Sequence, residues 1–207
     1  MEKISFRESG AVVRLITPEE FAWRAEIPIL MGETIALREL RASDAPMLLA
    51  MLSTEEVTRF INPLPTTVAG FEQLISSSHT ERVAGRGICF GVVPTGEEDA
   101  VGIFEVHQLE PSFATAEWKF ALGSPYWGTG VFVEGASLLT DFSFRTVGIH
   151  RLEARAAVKN GRANGALRKI GAEQEGVLRG SLLRNGEYLD QALWGLVDIE
   201  GQPPPIH

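Results

Sequence analysis

Gly128-Thr129-Gly130 stands between a strand-like run and an amphipathic stretch, and the chemistry of such a junction is anion binding. The first turn of a helix has amide N–H groups without intrahelical acceptors, and they lie at the positive end of the macrodipole. Gly128 and Gly130 lack a Cβ, so a ligand can come close to that backbone. Glu117 is the other residue with chemistry to offer, because its carboxylate interrupts the apolar run from Ala116 to Leu122. A carboxylate so placed either transfers protons or pairs with Lys119 or Arg155 on a solvated sheet face.

The elements that must position these residues are legible from periodicity. Val131, Gly135, Leu138, Phe142 and Thr146 share one stripe, flanked by Phe132, Ala136 and Leu139, while Glu134, Ser137, Asp141 and Arg145 recur opposite. This predicts a helix from about Thr129 to Val147. Alternation over Ala114 to Leu122 puts Trp118, Phe120 and Leu122 on one face of a strand and Glu117, Lys119 and Ala121 on the other. Further strands are expected over Thr34 to Leu40, Ile88 to Val93, Ala100 to His107, Arg151 to Val158, Glu173 to Arg184 and Tyr188 to Val197, the last two joined at Asn185-Gly186. Ser43-Asp44 reads as the cap of a helix carrying Met47, Leu48 and Met51, and a second helix runs from about Thr67 to Val83. Asn62-Pro63-Leu64-Pro65 forces an extended connection between them. Ala163, Ala166, Leu167 and Ile170 mark another helix, capped by Asn160 and ended by Gly171. Hairpin-paired strands that enclose helices give a mixed α/β or α+β sheet, not a regular βαβ repeat.

At 207 residues the chain is sized for one domain, and 44% hydrophobic with 22% charged residues is a globular composition. No apolar run approaches the ~20 residues of a membrane span, and the N-terminus lacks a secretory pattern. A cytoplasmic location is the expectation. Cys89 is the only cysteine and sits in an apolar run, which gives it a packing role. The histidines at 79, 107, 150 and 207 form no HExxH motif or Cys/His cluster for zinc, so no metal is expected. A formal charge of −8 argues against direct nucleic-acid binding and suits a positively charged acceptor. Residues 1–33 read as an N-terminal extension, with Ala11 to Ile16 a short strand, serving as an extra sheet strand or a homodimer contact. The domain proper is expected over 34–197, with 198–207 a tail.

Among phosphate sites, a nucleotide P-loop fails because no Lys-Ser/Thr follows the glycines, and a dinucleotide fingerprint fails because Val133 stands where its third glycine belongs. Tyr126-Trp127-Gly128-Thr129-Gly130-Val131, Gly148-Ile149-His150-Arg151-Leu152, Asn160 and Lys169-Ile170-Gly171-Ala172 occur in the order found in another family. The chain resembles the GCN5-related N-acetyltransferase (GNAT) superfamily over roughly 34–197, and within it the ribosomal-protein N-terminal acetyltransferase (RimJ/RimL-like) type. The resemblance implies the GNAT fold, a central mixed and mostly antiparallel sheet with a splayed parallel strand pair and flanking helices. It implies acetyl-CoA as co-substrate and transfer of its acetyl group to a primary amine, either a protein N-terminus or a small metabolite. By resemblance, backbone N–H groups from Trp127 through Gly128, Thr129, Gly130, Val131 and Phe132 receive the pyrophosphate. Ala121, Leu122 and Gly123 run along the pantetheine arm, Asn160 contacts the cofactor, and Glu117 is the base. Phe60, Ile61 and Leu64 border the acceptor cleft. Two departures stand out: Phe132 fills a place usually held by Gly or Ala, and Leu167 fills the place of a tyrosine that reprotonates the thiolate. They favour the alternative of a non-catalytic acyl-CoA-binding or interaction module with the same fold.

Overall fold

Apolar runs of period two become strands, and each pairs with its sequence neighbour wherever a short connection allows a hairpin. The computed structural model describes residues 22–198, so the strand expected at Ala11 to Ile16 and the tail from 199 onward lie outside the described residues. The strands β1 (Leu30–Met31), β2 (Ile35–Glu39), β3 (Gly87–Pro94), β4 (Gly102–Gln108), β5 (Thr115–Leu122), β6 (Arg151–Ala157), β7 (Glu173–Arg184) and β8 (Glu187–Val197) form one sheet in the order β1-β2-β3-β4-β5-β6-β8-β7. Every neighbouring pair is antiparallel except β5 and β6. That parallel pair has three rungs, Thr115 with Arg151, Ala116 with Leu152 and Glu117 with Glu153, and then parts. Past the last rung, β5 stays with β4 to the Gly102–Leu122 pair and β6 stays with β8 to the Ala157–Gln191 pair.

Helices cover both faces, because the strands present apolar side chains to each side. On one face, α2 (Ala45–Leu52) and α4 (Val68–Val83) bury Leu48, Leu52, Phe71 and Ile75 against Cys89, Ile103 and Ala121. On the other, α5 (Val131–Phe142) and α6 (Gly161–Lys169) bury Val131, Leu139, Phe142 and Leu167 against Phe90, Phe104 and Trp118. Gly135 sets how closely α5 can lie on the sheet, since a Cβ there would come within 2.9 Å of the Phe104 ring. The helix predicted from about Thr129 to Val147 is α5 followed by a π-helical turn, Ser143–Val147, that ends at Gly148 with φ of +81°. Two short helices carry no sequence expectation: α1 (Ala22–Ala25) and α3 (Glu55–Thr58). Trp23 in α1 stacks on Phe113 at 5.7 Å, and with Ile27 it is buried in the same core as the strands. Within the segment read as an extension, β1 adds the edge strand beside β2.

The expected cap at Ser43-Asp44 is replaced by a more demanding arrangement. Ala42–Asp44 form a 3-10 turn, and the Asp44 side chain turns inward, where it is fully buried. A buried carboxylate is tolerable only when its lone pairs are met. Asp44 takes Arg38 Nη1 and Nη2 at 2.8 and 2.7 Å, Arg41 N at 2.7 Å and Ala100 N at 3.0 Å. Arg38 also donates to Glu98 O at 2.7 Å, so one ion pair ties β2, the entry to α2 and the β3–β4 loop together. Burial alone would raise the Asp44 carboxyl, but the bonds from Arg38, Arg41 and Ala100 hold it below the ordinary aspartate value.

Asp44→Asn leaves Arg38 buried without its counter-charge and should cost about 3–5 kcal/mol in chemical denaturation. Between the depressed folded value and the unfolded value of ~3.9, the folded wild type binds fewer protons than the unfolded chain. The carboxylate's stabilisation is therefore complete above that range and is lost as pH falls through the folded value. The variant should show a flatter stability profile on that acid limb.

Candidate active site

The loop from β5 to α5 is shaped by two left-handed glycines. Gly128 and Gly130 have φ of +77° and +97°, and a Cβ at either would meet nothing within 4 Å. Their glycine requirement thus comes from backbone conformation, and the space above them is open. Trp127 N–H is spent on Ser124 O at 3.1 Å, and the helix ladder begins with Glu134 N to Gly130 O at 3.1 Å. Between them, the amides of Gly128, Thr129, Gly130, Val131, Phe132 and Val133 have no backbone acceptor among the described residues. Six such donors at a helix N-terminus concentrate unmet N–H groups at the positive end of the macrodipole, an arrangement that favours anions. The Phe132 ring turns toward the core, 4.7 Å from Phe120 and 5.7 Å from Phe104, so it forms a wall beside these amides.

The fork between β5 and β6 supplies a second set of free backbone groups. Thr115 O accepts from Leu109 N at 2.9 Å and Gly123 N donates to Val101 O at 3.0 Å, so odd-numbered residues of β5 spend their polar groups on the β4 side. Ala114 O accepts from His150 N and Arg151 N at 2.8 and 3.0 Å, so even-numbered ones face β6. Strand alternation then turns the N–H and C=O of Phe120 and Leu122 into the fork. The Leu122 carbonyl is met by Trp127 Nε1–H at 2.8 Å. Of the three backbone positions expected along an acyl donor, Leu122 faces the gap, and Ala121 and Gly123 face β4. Phe120 was not among them; side-chain alternation alone does not say which neighbouring strand a backbone group meets.

Two cavities flank this fork. One, of about 370 Å3, lies by the glycine turn and is lined by Leu122, Trp127, Gly128, Phe132, Gly161 and Arg162 among others. The second, of about 460 Å3, is lined by Glu105, Glu117, Lys119, Arg155 and the Phe60–Pro65 loop. They share Phe60, Ile61, Phe120, Ala121, Asn160 and Ala163 as walls. Sizes of this order suit small-molecule sites. The loop that roofs them is held by Arg184 Nε to Thr58 O at 3.0 Å and by Phe60 packed on Ala157, Leu182 and Leu189. Asn160 caps α6 through Ala163 N at 3.1 Å, as expected, and also lines both cavities. Arg162, which no motif signalled, stacks over the Trp127 ring at 4.3 Å.

Glu117 lies at the last rung of the parallel pair, mostly buried, and lines the second cavity. Both cations named from the sequence reach it, Lys119 Nζ at 3.3 Å and Arg155 Nε at 3.4 Å. Leu167 is wholly buried in the core, so that position offers no proton donor. Tyr188 is exposed on the outer hairpin, and Asp190 accepts Gly180 N–H at 2.8 Å within it. Among the described residues no group of His, Cys, Asp and Glu could hold a metal ion, and no helix is long and apolar enough to cross a membrane.

The model of the acetyltransferase (GNAT) domain matches residues 34–173. The chain belongs to the GNAT family. The acetyltransferase is similar to the uncharacterized N-acetyltransferase YoaA of Bacillus subtilis (strain 168), 28% identical over 173 residues, which span 82% of this chain and 97% of that protein. It is 26% identical over 120 residues to the ribosomal protein uS5-alanine N-acetyltransferase of Escherichia coli (strain K12), covering 58% and 62% of the two chains. Among solved structures, ribosomal-protein-S5-alanine acetyltransferase from Vibrio fischeri superposes with a TM-score of 0.76 at 19% identity, over 86% of this chain and all of that one. RimJ of Mycobacterium smegmatis, in complex with CoA-disulfide, gives 0.74 at 21% identity, over 84% and 87%. The mixed sheet with its parted parallel pair is the GNAT fold, and the protein is an acetyl-CoA-dependent N-acetyltransferase.

Gly130→Glu forces a side chain into the left-handed region and puts a carboxylate at the mouth of α5. Calorimetry should show acetyl-CoA binding to the wild type saturably and to the variant about 10-fold or more weakly, with folding checked by circular dichroism.

Proposed function

We propose that this acetyltransferase carries acetyl groups to a primary amine that enters the second cavity, over Glu117, and meets the donor at the walls the two cavities share. The junction of the cavities at Phe120 and Ala121 carries this reading. Acetyl-CoA supplies an acetyl thioester. Its phosphates fit the free amides from Gly128 to Phe132, and Arg162 and Arg59 line the same cavity without a carboxylate partner among the described residues. The free N–H groups of Phe120 and Leu122 stand where they can stabilise charge developing on a carbonyl oxygen. Asn160 holds the start of α6 against both partners.

An amine that reaches the site as an ammonium must lose a proton before its nitrogen can form the new C–N bond. Glu117 is the proposed recipient of that proton. The nitrogen lone pair forms the bond, the C–S bond breaks, and its electron pair leaves with sulfur. Trp118, Phe120 and Phe132 form an aromatic wall beside the fork, which limits competing attack by water. A protein N-terminus is the acceptor favoured by the Escherichia coli relative, which acts on a ribosomal protein alanine, and a cytoplasmic site of action belongs to the same reading. A non-catalytic module is the less supported alternative, since the Phe132 ring packs against Phe120 and Phe104 and leaves the amides of the turn open.

A screen of amines and N-terminal peptides, read by thiol release, should reveal the acceptor. On it, Glu117→Gln should lower kcat by about 100-fold or more and leave acetyl-CoA affinity nearly unchanged. Raising pH should partly restore the variant, because more of the amine arrives neutral. Unchanged turnover would make Glu117 a clasp between β5 and β6 and nothing more.

A further inference from the structure

The acceptor cavity contains a second carboxylate, and its surroundings differ from those of Glu117. Glu105 on β4 pairs in register with Lys119 on β5, while His107 pairs with Glu117, so the two glutamates are diagonal neighbours on one face of the sheet. Diagonal neighbours across an antiparallel pair lie ~7–8 Å apart. Glu117 is committed to two cations, Lys119 and Arg155. Glu105 has neither a lysine nor an arginine within ion-pair distance among the described residues. Its partners are His107 Nε2 at 3.5 Å and the weak donor Cys89 Sγ at 4.0 Å.

Its position also differs. Glu105 stands where the acceptor cavity adjoins a smaller one of about 200 Å3, lined by Ser77, Ser78, Glu81, Cys89 and His107 with no lysine or arginine. Its side chain is 21% exposed, enough to reach a ligand and little enough to be screened weakly by water. A carboxylate kept in a cavity without a fixed counter-cation favours a ligand that brings one.

We infer that Glu105 is a specificity-determining residue for the acceptor, seating a positive charge that the acceptor carries beyond its reacting amine. This rests on the proposal that the amine enters over Glu117. The diagonal spacing suits a second cation a few bonds from the first, as in a short linear diamine or in a peptide with a basic second residue.

The test is equilibrium binding to the enzyme saturated with CoA, using 1,4-diaminobutane and n-butylamine as probes of nearly equal length and different charge. Wild type should bind the diamine about 10-fold or more tightly, Glu105→Gln should bind the two alike, and Glu105→Asp should keep part of the preference. CoA affinity should be the same in all three proteins. A tetrapeptide amide with lysine second, compared with one with alanine second, separates the two sources: a Glu105-dependent preference there and none between the amines marks a peptide acceptor. The inference is overturned if wild type prefers neither dicationic probe, or if the preference survives in Glu105→Gln. Failure to bind CoA at all would instead remove the proposed function on which it rests.

Discussion

Three rungs hold β5 to β6, and the rest of the active region follows from the pairing stopping there. A parallel ladder that continued would consume the N–H and C=O groups of Phe120 and Leu122. Because β6 turns away with β8, those groups face a gap, and an unmet buried polar group costs about 1–3 kcal/mol. The Trp127 indole meets one of them, the Leu122 carbonyl. The others are left without a strand partner by what the sheet leaves undone. Asn164 ties the departing strand down: its amide donates to Ala157 O at 2.9 Å, and its oxygen accepts Trp194 Nε1–H at 2.9 Å, anchoring the end of β6 to α6 and β8.

Around the fork, charge is distributed in a way that suits two different guests. On the α5 side, Gly128 and Phe132 of the helix N-terminus and two arginines, Arg59 and Arg162, line one cavity, and that combination favours negative charge. On the α4 side Glu105 and Glu117 face a cavity in which Lys119 and Arg155 neutralise Glu117. Glu134 could have opposed a negative charge at the amides of that helix start, since it lies in the first turn of α5. Its carboxylate instead turns away to the β1–β2 connection, accepting Thr34 N at 3.0 Å and also bonding Glu33 N and the Thr34 hydroxyl. Burial would raise that carboxyl, and these bonds from Thr34 and Glu33 lower it below the ordinary glutamate value. The same contact fastens Glu33 and Thr34 to the first turn of α5.

Much of this was readable from periodicity. The strand of Glu117, the helix after the glycines, the strands over Ile88 to Val93 and Ala100 to His107 and the Asn160-capped helix all lie where apolar spacing and turn residues put them, because each is a local property of ten or so residues. The glycine turn was legible for the same reason: glycines of left-handed conformation and a helix start are adjacent in the chain. Strand alternation likewise put Lys119 on the face of Glu117, whereas the sequence offered Arg155 only as an alternative partner and the β5–β6 pairing brings both to the carboxylate. The inward turn of Asp44 was not legible, since its partners Arg38 and Ala100 come from two other segments and a cap is the default reading of a serine-aspartate pair before a helix.

By itself, then, the sequence determined the longer elements, the family and the glycine turn that opens α5, because those depend on short-range order and on motifs that recur in sequence. The tertiary structure alone decided where β5 and β6 part, which backbone groups of Phe120 and Leu122 are left free, and that Glu105 and Glu117 face one cavity. It also decided that Phe132 leans into the aromatic cluster of Phe104, Trp118 and Phe120, where its bulk forms a wall. These depend on which strands become neighbours and on how far their pairing runs, and such long-range geometry is set by packing the whole sheet between its helices.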